Sequence, residues 1–183
     1  MWIALIVIAV LIIAIIGIYN GLVSAKLKVD NAWSQIDVQL QRRFDLIPNF
    51  VETVKGYMTH ESETFEKIAK LRTSWASSST VGEKAQLDNE LSGALKTIMA
   101  VSESYPDLKA NQNFADLSEE LRNTENKISF SRQFYNDSVT IYNTKLELFP
   151  SNIVASMFNF KPRELFAVEN DEAKKNVKVD FNK

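Results

Sequence analysis

Arg43, Glu125 and Arg132 have the most chemistry to offer, because each falls on or beside a row of apolar residues repeating every seven positions. A charge in such a row faces the low-dielectric interior of a helical fold. It must find a partner there, or the fold loses several kcal/mol, about 3–5 for a broken pair. Arg42, Asp45, Asn136 and Asn143 lie on or near the same rows. Two chemistries fit the set: a ligand or proton site between helices, or an arginine–carboxylate layer that fixes helix register. The register role is the better attested one. Arg43, Glu125, Arg132, Asn136 and Asn143 are therefore expected to form a structural polar layer, and removing Glu125 should cost at least ~2 kcal/mol by stranding an arginine.

Tyr135-Asn136 and Tyr142-Asn143 repeat at a seven-residue interval, with Tyr19-Asn20 a third copy. The tyrosines of the interval belong to an apolar stripe, so each hydroxyl needs a buried partner. The asparagines, one step round the helix, could bridge helices or read a bound partner; use within the core is favoured. His60-Glu61 invites a metal or general-base reading, but a single His cannot build a zinc-protease or di-iron motif. With no cysteine in the chain, thiolate catalysis, thiolate zinc sites and disulfides are excluded. No phosphate-binding glycine loop, Ser–His pair or carboxylate dyad is present. The chain is expected to be no enzyme and to need no metal or cofactor.

The elements that must position these residues are helical. Val29, Ile36, Arg43, Phe50 and Tyr57 form one row, with Trp33, Leu40, Ile47 and Val54 beside it. Such alternating three-and-four spacing marks a coiled-coil-like stripe. Pro48 interrupts it and should kink the helix. Phe114, Leu121, Ile128, Tyr135, Tyr142 and Phe149 make a second stripe, and Leu87, Leu91, Ala94, Ile98, Val101 and Tyr105 a third. Thr80-x-x-Glu83 reads as a capping box before the third. A short fourth piece carries Phe65, Ile68, Leu71 and Trp75, and whether it continues the first helix past His60 is open. Matching lengths favour a break there, with Thr59 as cap, giving helices over about 20–58, 61–76, 81–104 and 107–149. The tail Asn176–Phe181 alternates like a strand that could add to a partner.

The 183 residues carry 21 Lys+Arg and 23 Asp+Glu, a net charge of −2 that gives no general attraction to nucleic acid. No charge precedes Lys26. Met1–Tyr19 is apolar throughout, about 27 Å long as a helix, and bracketed by Trp2 and Tyr19 as interface residues. It lacks the positive start and small-x-small site of a cleaved signal. The expected organisation is a transmembrane anchor over 1–19, an all-α, antiparallel up-and-down four-helix bundle over 20–149, and an amphipathic aromatic tail over 150–183. Lys26 and Lys28 after the span favour an outside N-terminus with a cytoplasmic bundle; the reverse orientation stays open. Phe158, Phe160 and Phe166 in the tail are expected to contact a neighbouring subunit or the membrane surface, with folding back over the bundle end as the competing arrangement.

Asn31-Ala-Trp-Ser-Gln-Ile-Asp37, Arg42-Arg-Phe-Asp-Leu-Ile-Pro-Asn49, Tyr105-Pro-Asp-Leu-Lys-Ala-Asn111, Thr124-Glu125, Arg132-x-x-Tyr135-Asn136, Tyr142-Asn143 and Phe149-Pro150, after a span ending in Tyr-Asn-x-Leu-Val, resemble the LemA family. The resemblance implies a bacterial inner-membrane protein with a four-helix bundle, a scaffolding or membrane-organising role, and no assigned catalysis. A self-assembling anchored scaffold, a homo-oligomer on the lipid bilayer, is the leading functional reading. The alternative is a membrane-bound adaptor or sensor for a signalling or proteolytic partner.

Overall fold

One helix carries both the apolar run and the first stripe. In the computed structural model, which describes residues 1–58 and 61–166, α1 (Trp2–Lys55) spans 54 residues without a break, about 81 Å at 1.5 Å per residue. It is followed by α2 (Ser62–Ser77), α3 (Val81–Ser102), the single turn α4 (Pro106–Lys109), α5 (Gln112–Glu147) and α6 (Ser151–Met157). Among the described residues every regular element is helical. Thr59, His60 and the alternating tail Asn176–Phe181 lie outside the described residues.

The first helix does not run on to Trp75. It stops at Lys55, and α2 starts afresh at Ser62. Pro48 leaves the Phe44 carbonyl without its usual donor, yet α1 continues through it. Phe44, Ile47 and Phe50 are all buried around that point, so packing offsets the missing bond. The last long helix begins at Gln112 instead of 107. Pro106 opens a separate turn, and the Asn111 side chain then caps α5 by accepting from the Phe114 amide at 3.1 Å. The Thr80–Glu83 capping box forms in full, and its backbone donors hold the Glu83 carboxyl below its ordinary value.

α1 and α5 run antiparallel, as shown by contacts from Lys145 to Gly21, Trp33 to Tyr135, Arg43 to Glu125, and Phe50 to Phe114. α2 descends beside α1, bringing Trp75 into a 4.3 Å stack on Phe44. α3 rises again, packed mainly on α2 and reaching α1 and α5 through side chains. Lys84, at its start, pairs with Asp37 and lies over the rings of Trp75 and Trp33 at 4.9 and 5.7 Å. One apolar core joins α1, α2, α3 and α5, each large side chain contributing about 1.5–3 kcal/mol by burial. A smaller cluster of Leu22, Val154 and Ala155 binds α6 to α1 just beyond the apolar run. That run has a mean hydropathy of 3.0 with none of its window buried. It has the length and composition to cross a membrane.

Candidate functional site

Three helices meet at an ionic layer halfway along the core. Arg43 of α1 is 3% exposed, and its Nη1 donates to Asp88 Oδ1 at 2.7 Å and to Ser92 Oγ at 3.0 Å, both on α3. The same nitrogen lies 2.6 Å from Glu125 Oε2 on α5. Arg132, two turns further along α5, donates Nη2 to the other Asp88 oxygen at 2.8 Å. Ser92 completes the layer by donating to Glu125 at 3.2 Å. Asp88 is wholly buried. Burial pushes its carboxyl above the ordinary value, against the pull of the two guanidiniums, and the nearby Glu125 adds to the rise.

Asp88 is the residue that sequence reasoning missed. Of the expected α3 stripe, Leu91, Ala94 and Ile98 are buried and Leu87, Val101 and Tyr105 half-buried, and the buried face also takes in Ala85, Asp88, Leu95 and Ser102. Asp88 stands three residues before Leu91 and seven before Leu95, so its spacing puts an aspartate among core residues on the edge of that stripe. Arg42 instead pairs with Glu120 on the outside, and Asp45 accepts from Gln41.

Asn136 and Asn143 stand apart from the layer. Each holds the main chain of the segment after α6. The Asn136 amide donates to the Phe166 carbonyl at 3.2 Å and accepts from its N–H at 2.8 Å. Asn143 does the same with Arg163, both bonds at 2.9 Å. The preceding tyrosines donate to the next carbonyls, Tyr135 to Glu164 at 2.8 Å and Tyr142 to Lys161 at 2.9 Å. The repeat works because two lengths agree. Seven helical residues rise about 10.5 Å, and three extended residues cover about 10 Å. Residues 161 to 166 therefore lie antiparallel to α5 as a strap, gripped at every third residue by side chains that read only its backbone. Arg163 adds a bond to Asp30 of α1 at 2.8 Å.

Residues 32–181, which include the layer and both Tyr-Asn pairs, match the LemA family. The chain belongs to the LemA family. It is 29% identical over 162 residues to Protein LemA of Metamycoplasma hominis, covering 86% of this chain and 72% of that one. It is 26% identical over 174 residues to Magnetosome protein MamQ 2 of Paramagnetospirillum magneticum, covering 81% of this chain and 64% of that one. The chain thus spans about two thirds of the magnetosome protein's length. These names state no enzymatic activity, and among the described residues of this LemA-family chain no group of three His, Cys, Asp or Glu is placed to hold a metal ion.

The aromatic residues divide between surface and core. Trp2 is 80% exposed near the start of α1. Tyr19 packs on Phe158 at 4.7 Å and Phe160 at 5.7 Å, closing the end of the apolar run against the turn after α6. Phe158 remains half exposed. Phe166 is 1% exposed, 6.2 Å from Trp33, with the Arg132 guanidinium 4.6 Å over its ring. That position takes Phe166 away from any neighbour or membrane surface, because the strap carries it into the core. The segment turns at the end of the bundle and then runs back along α5, with Arg163 reaching α1.

Proposed function

We propose that this LemA-family chain is a single-pass scaffold of the bacterial inner membrane, with α1, α2, α3 and α5 forming an up-and-down four-helix bundle that self-associates side by side. The observation that carries the reading is an apolar face left outside the core. Phe130, Phe134 and Ile141 of α5 are 76%, 49% and 59% exposed, and their spacing sets them within about 40° on the helix surface. Val38 of α1, 63% exposed, lines a groove with Phe130. Exposed contiguous apolar residues of this kind mark association surfaces. Copies anchored in one bilayer stand in the same orientation, so the face of one can meet the face of the next. The reading takes support from α1 being one uninterrupted helix from Trp2 to Lys55.

The chain has no native cysteine, which makes single-site crosslinking unambiguous. Phe134→Cys in membranes should form a disulfide-linked dimer on mild oxidation, whereas Lys70→Cys on α2 should not. Mass photometry in mild detergent should show species larger than one chain. A single monomer-sized species with no crosslink at position 134 would overturn the reading. A stoichiometric foreign protein captured at position 134 would instead favour the adaptor role.

A further inference from the structure

Beyond scaffolding, a groove between α3 and α5 is left unfilled by the core. A cavity of about 510 Å³ opens beside the ionic layer, within the range of ligand pockets. Leu95, Met99, Phe114 and Leu121 make its walls apolar. Two of the lining residues, Arg43 and Ser118, each carry a buried polar atom with no hydrogen-bond partner among the described residues, Nε and Oγ. Both residues are more than nine-tenths buried.

The charges are unequal along its length. At the far end Lys109 and Glu103 pair at 2.5 Å and cancel. At the end beside the layer, Lys96 of α3 and Arg122 of α5 line the cavity with Arg43. The Ser92–Glu125 bond puts the two helices in register there, so both residues fall about one turn away from it. Neither Lys96 nor Arg122 has an ion pair among the described residues. Within the layer Arg43 and Arg132 are balanced by Asp88 and Glu125. The two free cations therefore leave this end net positive, above an apolar slot too small for a two-chain lipid.

We propose that the cavity binds a single-chain carboxylate amphiphile of medium length, its head between Lys96 and Arg122 and its tail along Met99, Leu121 and Phe114. The full chain in phosphatidylcholine nanodiscs, photolabelled with a diazirine-bearing decanoic acid, tests it by adduct mapping. Adducts should appear on α3 and α5 around Met99 and Leu121. They should fall at least fivefold in Lys96→Glu/Arg122→Glu, which alters only exposed side chains. Ala115→Trp, at the cavity's edge, should reduce them similarly, and the corresponding diazirine alcohol should label weakly. Adducts confined to the apolar run, equal labelling by acid and alcohol, or undiminished labelling of the charge-reversed variant would each overturn the assignment.

Discussion

Asp88 touches arginines from two different helices, so its loss strands Arg132 and leaves Arg43 with only Ser92 and the part-exposed Glu125. Asp88→Ala should lower stability by about 3–5 kcal/mol, the cost of leaving buried charge unpaired, measured by urea unfolding in detergent. Glu125 is a lesser partner, because its side chain is 39% exposed and water can replace it. Glu125→Ala should cost only about 1 kcal/mol, below the ~2 kcal/mol that the sequence alone suggested. A larger loss at Glu125 than at Asp88 would refute this ordering. The tyrosine hydroxyls give a second test. Burial pushes Tyr135 and Tyr142 above the ordinary tyrosine value of 10.0. The folded state then holds protons that the unfolded chain releases, so stability is intact below that value and lost as pH rises above it. Thermal melts across this alkaline range should fall steeply for the native chain and less steeply for Tyr142→Phe.

The strap is the element whose design is most exposed to mutation. Asn136→Ala and Asn143→Ala each remove two main-chain bonds and should cost about 1–3 kcal/mol, with faster proteolysis between residues 160 and 166 as the measured sign. The turn that aims the strap depends on Asn159, whose φ of 56° is left-handed. Bonds from the Phe160 amide to Ala155 and from the Asn159 amide to Ser156 close α6 around it. A β-branched residue there should cost about 1–2 kcal/mol, while glycine should be tolerated. How much of this was legible varies with the kind of signal. Helix stripes and the Thr80–Glu83 box were readable, because period and capping chemistry are local. The tyrosines were placed in the core by their row. Their partners were not readable, since Lys161 and Glu164 contribute backbone carbonyls that any residue would supply. Asp88 escaped for another reason: the buried face of α3 is wider than its apolar stripe, and an aspartate on the edge of that stripe reads as solvent-facing until Arg43 and Arg132 are seen to reach it.

At the scale of the whole molecule, orientation is the open prediction. If the lysines after the apolar run set topology, Ser78→Cys in the α2–α3 turn should react with a membrane-impermeant maleimide only after cells are broken. Labelling of intact spheroplasts would reverse the assignment. The uninterrupted α1 carries a mechanical consequence as well. With α1 unbroken between Tyr19 and Lys55, an anchored domain would not swivel on its stalk, and any lean of the apolar third would become a sweep of the other end. Membrane helices lean by roughly 20° on average, and about 54 Å of α1 projects beyond the apolar run. At that lean the far end of an anchored chain would stand roughly 18 Å to one side. If the run is embedded, whatever sets that lean, interfacial anchors such as Trp2 and Tyr19 or contacts with neighbouring spans, also sets how far apart neighbouring heads stand.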